Sequence, residues 1–306
     1  MCPAGRKIIM SEPLVSIITR TKDRAVLLRR ALSDCVKQTY DNFELIIVND
    51  GGASSPVDAL LEEFSSKLAG RARVIHNQVS QGMERASNQG IEASSGKYIC
   101  IHDDDDTWAP SFLQTCVGYL EANPDQGGVA VRTQIVLEQL EGNKVTEIGR
   151  EIAWPEIHQF SLSKLMISNI AVPISCMYPR AVIDNLGGFR DDLPVVGDWE
   201  FHLRLALKYQ VGFIDGKPLA FWHQRRAAKG VMGNSVFAGA DKHQYFDLQV
   251  RDEYLKDYAE HNGIGALLWQ AAMFNQIRGG SETAFGWTKR KVRDFLSERR
   301  LGKSNK

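Results

Sequence analysis

The chain has 306 residues, long enough for one large α/β domain with an extension or for two small domains. Its 37 basic and 37 acidic residues give a formal net charge of zero, which argues against a protein dedicated to binding nucleic acid. The five cysteines form no CxxC pair, and no apolar run has the length of a signal peptide or a membrane span. We therefore expect reduced thiols and a cytoplasmic location.

The first half of the chain alternates short apolar segments with amphipathic ones after a flexible lead at 1–12. Strands are predicted at 14–19, 43–49, 72–76 and 97–102, and helices at 24–38, 56–70, 82–96 and 110–124. This alternation predicts an α/β fold, in which right-handed βαβ units build a mostly parallel sheet flanked by helices. Residues that directly follow a strand then lie at the carboxyl edge of the sheet, where such folds bind ligands.

The second half has a less regular pattern. Strand-like alternation covers 128–150 with a turn at 141–143, and short helices are predicted at 161–168 and within 174–189. A strong amphipathic helix follows at 198–209, and "VGFID" and "PLAFWH" are short strands. From residue 237 the pattern is helical, which predicts a C-terminal helical extension over 237–306.

Four consecutive acids, Asp103 to Asp106, directly follow the fourth predicted strand. Neighbouring like charges repel, and burying any of them is costly without a partner. The run is either a solvated loop or a site for metal or phosphate chemistry, and its position after a core strand favours the second reading. The spacing excludes an EF-hand, and the chain lacks a P-loop, a dinucleotide-binding fingerprint and a nucleophile elbow.

Four segments of the chain resemble family 2 of the inverting nucleotide-sugar glycosyltransferases, which have a GT-A fold with a Rossmann-like sheet. They are "VSIITRTKDR" (15–24), "QTYDNFELIIVNDGG" (38–52), "GMERASNQGIEASSGKYICIHDDDDTWAP" (82–110) and "GDWEFHLRLA" (197–206). The resemblance implies a GT-A catalytic domain at 13–236, with a nucleotide-sugar-binding half at 13–125 and an acceptor half at 126–236. The first segment departs from the family's commoner P-T-Y-N form, which affects the contacts expected of that loop.

In that family the acid run is a D-x-D motif that binds the donor ribose and, through a divalent metal, the donor diphosphate. The resemblance implies Asp105 as the direct ligand of Mn²⁺ or Mg²⁺, with Asp103 and Asp104 at the ribose or at metal-bound water. Asp103 and His223 are further candidate metal ligands, although a lone histidine is more often structural. Asp106 either belongs to this set or caps the following segment.

The resemblance also implies contacts with the nucleotide-sugar donor. The candidate donor-binding residues are Arg20, Thr21, Asp50, Gly82, Asn88, Asp103, Asp104 and Arg225. Asp50 is implied to accept an N–H of the nucleobase, which favours a UDP or dTDP donor, with an ordinary turn aspartate as the alternative. Arg225 is either a fork-shaped ligand of the diphosphate or a solvated side chain.

Asp198 is the candidate catalytic base, since it stands where the family has the aspartate of its E-D-W/Y motif. The family commonly has Glu before this Asp, whereas this chain has Gly197. A simple helix N-cap is the alternative role for Asp198, and Glu200 is the second candidate base.

These expectations describe a metal-dependent hexosyl or deoxyhexosyl transferase that inverts configuration in a single displacement. The acceptor would be a glycan or a lipid-linked glycan of a bacterial surface polysaccharide, with no role for nucleic acid. The alternatives are a sugar-nucleotide nucleotidyltransferase and a non-catalytic sugar-nucleotide-binding scaffold. Basic and apolar residues mix at 282–306, which is typical of either a helix on the inner membrane face or one packed on the catalytic domain.

Overall fold

The computed structural model describes residues 12–141, 144–228, 230–234 and 239–274. The chain divides into two compact units, and the boundary in the sequence lies between Asp247 and Leu248. Most of the predicted lead, the centre of the predicted turn at 141–143 and the basic segment at 282–306 lie outside the described residues.

The first unit contains eleven described strands and most of the described helices. The strands are β1 (Val15–Thr21), β2 (Phe43–Asp50), β3 (Ala72–Asn77), β4 (Tyr98–Ile101), β5 (Thr107–Trp108), β6 (Val129–Val131), β7 (Thr133–Glu141), β8 (Lys144–Ile152), β9 (Cys176–Pro179), β10 (Gly212–Ile214) and β11 (Ala220–Gln224). The helices are α1 (Ala25–Cys35), α2 (Ser54–Leu68), α3 (Met83–Ala93), α4 (Phe112–Ala122), α5 (Leu162–Leu165), α6 (Arg180–Leu186) and α7 (Gly197–Lys208).

The central sheet has seven strands in the order β10-β6-β9-β4-β1-β2-β3. Its two faces are covered by separate apolar clusters: Ile17 and Ile47 belong to one, and Ile18 and Ile46 belong to the other. All four side chains are fully buried. Burial on both faces explains why these strands read as continuous apolar runs rather than as alternating ones. The predicted mostly parallel sheet flanked by helices is confirmed.

Strand β9 runs antiparallel to both of its neighbours, β4 and β6. It brings the second half of the chain into the middle of the sheet, directly beside the strand that precedes the acid run. The sheet is therefore mixed rather than wholly parallel.

A second sheet of four strands, in the order β5-β11-β7-β8, was not foreseen from the sequence. Strand β5 begins just after the acid run and pairs antiparallel with β11, which is parallel to β7. The acid run thus joins the central sheet at β4 to the second sheet at β5. This connection brings side chains of β7 and β11 next to the acids.

The described helical structure at the C-terminal end agrees with the predicted pattern. Helix α8 (Ala240–Asn262) begins before the boundary between the two units and ends after it, and residues 265–274 are also helical. Among the described helices, none is both long and apolar enough to cross a membrane.

Candidate active site

Parallel strands bring charged side chains to one edge of the central sheet. Arg20 and Thr21 end β1, Asp50 ends β2, and Asp103 lies two residues beyond β4. Because β1 is parallel to both β2 and β4 and lies between them, these residues share the carboxyl edge of the sheet.

The acid run is neutralised by arginines from distant parts of the chain. Asp103 accepts a hydrogen bond from Nη2 of Arg20. The guanidinium of Arg24 forks onto Asp104, with Nη2 2.5 Å from Oδ1 and Nε 3.1 Å from Oδ2. These ion pairs explain how a fully buried Asp104 is tolerated beside two other acids.

Asp105 is the centre of a buried network. Its Oδ2 accepts hydrogen bonds from Nη2 of Arg225 and from Nδ2 of Asn234, the latter at 3.2 Å, and Nη1 of Arg24 is 3.6 Å away. Burial acts to raise the pKa of Asp105, but Arg24 and Arg225 outweigh it and hold the pKa below its ordinary value. Asp105 is therefore an ionised carboxylate that ties the acid run to the segment after β11.

The other two buried acids of the run have raised pKa values. Burial raises the pKa of Asp104 to about 6, although Arg24 opposes the shift. Burial and the charges of Asp105 and Asp103 raise the pKa of Asp106 well above its ordinary value. Oδ1 of Asp106 accepts the backbone N–H of His223 at 2.8 Å, so this acid fixes the second sheet to the loop.

His223 is held at both ring nitrogens. A carboxylate only accepts, so Nδ1 of His223 donates to Oε1 of Glu138 at 2.7 Å, and Nε2 accepts the hydroxyl of Thr107 at 2.8 Å. Glu138 also binds Nη1 of Arg225 at 2.9 Å and Nη1 of Arg30 at 2.5 Å. His223 and Arg225 thus lie in one buried network with the acid run, and Arg225 is only 1% exposed.

The metal-ligand atoms available at the acid run suit a hard cation only in part. Asp103 and Asp105 offer carboxylate oxygens within one loop, and the side chain of Asp103 is 22% exposed. His223 does not fit as a ligand, because protein groups occupy both of its nitrogens. No group of three or more His, Cys, Asp or Glu side chains is arranged to hold a metal ion within the described ranges. A cation at Asp103 and Asp105 would share Asp105 with Arg225.

Asp50 anchors the loop that leads into α3. Its carboxylate accepts the side chains of Asn77 at 2.9 Å and Ser80 at 2.7 Å, and the backbone N–H groups of Gln81 and Gly82 at 2.9 and 3.0 Å. Burial acts to raise the pKa of Asp50, but these four donors hold it below its ordinary value. Both carboxylate oxygens are therefore engaged within the protein.

Two more of the residues expected to bind the nucleotide-sugar donor lie on or near α3. Gly82 precedes the helix with φ at +99°, a backbone conformation that favours glycine. Asn88 points away from the acid run to the segment before α7: its Nδ2 donates to the carbonyl of Phe189 at 2.7 Å, and its Oδ1 accepts the N–H of Phe189 at 3.0 Å. Thr21 is buried beside Asp104.

Asp198 lies in the first turn of α7. Its Oδ2 accepts Nδ2 of Asn169 at 2.8 Å. Burial raises the pKa of Asp198, while the N–H of Trp199, Asn169 and the charge of Arg20 oppose the shift. The charge of Asp103 also acts on Asp198, so the acid run and the candidate base belong to one electrostatic site.

Glu200 does not face the same surroundings as Asp198. It is 2% exposed and pairs with Arg204, whose Nη2 is 2.7 Å from Oε2 of Glu200. Arg204 also donates to the carbonyls of Leu186 and Gly188 at 2.6 and 2.9 Å, so the pair braces the turn after α6. Glu200, the second candidate base, is therefore engaged by Arg204, whereas Asp198 is held by Asn169.

Glu84 is a site residue that the sequence did not suggest, although it stands inside the third quoted segment. It lies in the first turn of α3, and its Oε2 is 3.3 Å from Nη1 of Arg20. Burial raises the pKa of Glu84 to about 7; Arg20 opposes the shift, and Asp198 and Asp103 add to it. Arg24, Arg30 and Glu138 were missed as well, since single charged residues on amphipathic segments carry no motif.

The comparisons with known proteins agree on the family of this chain. Residues 16–187 match the model of the family described as Glycosyl transferase family 2. YwdF of Bacillus subtilis strain 168, described as an uncharacterized glycosyltransferase, is 28% identical over 256 residues, which are 83% of this chain and 85% of that protein. WcaA of Escherichia coli strain K12, whose description names colanic acid biosynthesis and glycosyl transfer, is 34% identical over 109 residues, 36% of this chain and 38% of that protein.

A solved structure has the same fold. The crystal structure of S. aureus TarS 1-349 in complex with UDP-GlcNAc superposes with a TM-score of 0.57 over 82% of this chain and 74% of that chain, at 16% sequence identity. The GT-A architecture expected from the quoted segments is thereby confirmed.

Proposed function

Because this chain belongs to glycosyltransferase family 2, we propose that it transfers a sugar from a nucleoside-diphosphate donor to an acceptor hydroxyl with inversion at the anomeric carbon. The observation that carries this proposal is the contact of Arg20 both with Asp103 of the acid run and with Glu84, whose side chain lies against Gly197, the residue before Asp198. A base and positively charged groups beside the leaving diphosphate are what a single displacement needs.

Asp198 is the proposed catalytic base. As the acceptor oxygen attacks the anomeric carbon, the Asp198 carboxylate takes the hydroxyl proton and the bond from the sugar to the diphosphate breaks. The raised pKa of Asp198, caused first by its burial, makes the ionised carboxylate a stronger base. Asn169 orients the carboxylate by donating a hydrogen bond to Oδ2.

Positive charge at the sheet edge is proposed to stabilise the leaving diphosphate. Arg20 and Arg24 are cations beside the acid run, and their side chains keep 13% and 21% exposure. A Mg²⁺ or Mn²⁺ ion held by Asp103 and Asp105 would supply further charge neutralisation for the diphosphate.

A UDP donor is favoured over a dTDP donor, because the structurally similar TarS was solved in complex with UDP and with UDP-GlcNAc. Recognition of the nucleobase by Asp50 remains part of the proposal, and an N–H of the nucleobase would share a carboxylate that already accepts hydrogen bonds from four protein groups. The description of WcaA names colanic acid biosynthesis, which favours a surface polysaccharide as the product of the pathway in which this chain acts. A lipid-linked acceptor would bring the enzyme to the cytoplasmic face of the inner membrane, where the basic segment 282–306 would meet anionic lipid.

The test is release of nucleoside diphosphate from a panel of UDP-, dTDP- and GDP-sugars, with and without Mn²⁺. We expect turnover with at least one UDP-sugar, and Asp198→Asn should lower kcat by at least ~10²-fold while donor affinity is kept. EDTA should suppress turnover if Asp103 and Asp105 hold a cation. Release of pyrophosphate from a nucleoside triphosphate and a sugar phosphate, without transfer from any donor, would contradict the proposal.

A further inference from the structure

The carboxylate of Glu84 lies between the two charged parts of the active site. It contacts Nη1 of Arg20, whose other terminal nitrogen binds Asp103. Its side chain also lies against the backbone of Gly197, the residue directly before Asp198, and the N–H of Gly197 acts to lower the pKa of Glu84. One buried side chain of α3 therefore connects the acid run, through Arg20, with the first turn of the helix that carries the proposed base.

Gly197 leaves the space that the Glu84 side chain occupies. A Cβ added at Gly197 would lie 2.5 Å from both Cγ and Oε1 of Glu84 and 2.8 Å from its Cδ, and these are the three nearest atoms. Carbon atoms in contact normally stay about 3.5–4.0 Å apart, so a side chain at 197 and the present position of Glu84 exclude each other. The glycine at this position is thus explained by Glu84 rather than by its own backbone conformation.

The start of α7 receives no capping hydrogen bond from its own N-cap side chain. Its N-cap residue, Val196, has a left-handed backbone with φ at +60° and makes no side-chain capping hydrogen bond. The first N–H groups of a helix have no partners within the helix, and a carboxylate near them is stabilising. Glu84 supplies that carboxylate from α3, one residue away from Asp198.

We propose that Glu84 is a positioning residue for glycosyl transfer, which caps the first turn of α7 across the helix interface and, with Arg20, sets the distance between Asp198 and the acid run. The inference rests on the proposed function, because it takes Asp198 as the base. Glu84 itself does not need to touch either substrate. Its effect should therefore appear in kcat and not in the KM of the donor.

The first experiment compares Glu84→Gln with Glu92→Gln in the full chain. Glu92 is an exposed glutamate of the same helix and serves as the matched control. With UDP-GlcNAc as the donor probe, we expect Glu84→Gln to lower kcat for UDP release about 10- to 100-fold, the range that small misplacements of catalytic groups cause. The KM for UDP-GlcNAc should stay within about twofold, and Glu92→Gln should match the unmodified chain.

The second experiment moves the carboxylate to the other side of the contact. The double variant Glu84→Ala/Gly197→Glu restores a carboxylate, now carried by α7. The double variant Glu84→Ala/Gly197→Ala also removes the Glu84 side chain that would clash with residue 197, but it restores no carboxylate. We expect a higher kcat for the double variant with glutamate at 197 than for the double variant with alanine at 197. Gly197→Ala alone should displace Glu84 and lower kcat, while Gly118→Ala, where an added Cβ meets nothing within 4 Å, should not.

Three results would overturn the inference. They are a normal kcat for Glu84→Gln, a raised KM for UDP-GlcNAc in place of a lowered kcat, and an equal kcat for the two double variants. Amide hydrogen exchange at residues 197–199 gives a readout that does not depend on turnover. Glu84→Gln should speed exchange there, and Glu92→Gln should not. If the unmodified chain releases no UDP from any donor, the proposed function fails, and unchanged exchange in Glu84→Gln would refute the cap separately.

Discussion

Replacing Arg225 by methionine tests whether the buried network around the acid run stabilises the fold. Arg225 is 1% exposed, and its guanidinium joins Asp105 to Glu138, with Nη1 2.9 Å from Oε2 of Glu138. Methionine keeps much of the apolar stem and removes the charge. Arg24, 3.6 Å from Asp105, and Arg30, 2.5 Å from Glu138, remain as partial counter-ions.

The expected loss is large for a single substitution. Removing one partner of a buried ion pair costs about 3–5 kcal/mol, and the remaining arginines favour the lower end of that range. A loss of about 3 kcal/mol is a substantial part of the ~5–15 kcal/mol by which most domains are stable. Urea unfolding followed by tryptophan fluorescence measures it, since Trp108 and Trp222 lie in the second sheet that this network supports.

The neighbouring arginine is the matched control. The side chain of Arg226 is 56% exposed and is 2.8 Å from Oε1 of the half-exposed Glu151. Surface pairs contribute only about 0–1 kcal/mol, so Arg226→Met should be nearly neutral. Equal losses for the two variants would refute the reasoning from burial.

The pH dependence separates charge from packing. Burial acts to raise the pKa of Glu138, but hydrogen bonds and charges from His223 and Arg30 hold it at about 2, below the ordinary value of 4.5. Stabilisation from such a carboxylate is present above pH 4.5 and is lost as the pH falls towards 2. The deficit of Arg225→Met should therefore shrink across this window, and a deficit independent of pH would assign the loss to packing alone.

Three further predictions concern other parts of the chain. Asp50→Asn leaves the N–H groups of Gln81 and Gly82 with a weaker acceptor, so we expect a loss of about 1–3 kcal/mol in unfolding free energy and weaker UDP binding by calorimetry. The four described cysteines are buried, and burial raises their pKa values, so a thiol reagent should label them only after unfolding, as intact mass will reveal. The segment 282–306 has eight basic and three acidic residues, so the full chain should sediment with anionic but not zwitterionic vesicles, and 0.5 M salt should release it. Equal sedimentation with both lipids would contradict an electrostatic contact of this segment with the membrane.

Local patterns in the sequence were sufficient to predict the parallel part of the central sheet. Strands β1, β2 and β4 are short apolar runs followed by amphipathic helices, and βαβ handedness then brings their carboxyl ends to one edge. The second sheet could not be foreseen in the same way. Strand β5 has only two residues, and β11 pairs in parallel with β7, far earlier in the chain, so neither pairing leaves a local pattern.

The candidate site was predictable where a motif exists and not where the partners are single charges. The acid run and Asp198 stand in segments with recognisable patterns. Arg30 and Glu138 lie on an amphipathic helix and in an alternating strand, where charged residues normally face water. Tertiary folding instead turns them inward, because the buried acids require counter-ions and the counter-ions require acids.

The four acids differ in what surrounds them, and this difference is what makes the run tolerable. Asp106 is held by the backbone of β11 and so joins the run to the second sheet, whereas Asp104 lies under the fork of Arg24, which follows β1 of the central sheet. Asp105 is held by Arg225, whereas Asp103 keeps an exposed edge beside Arg20. Because repulsion within the run is offset by arginines that the fold itself supplies, its formation requires both sheets to be in place. The proposed site for the diphosphate is then assembled only when the segments before and after residue 125 are folded together.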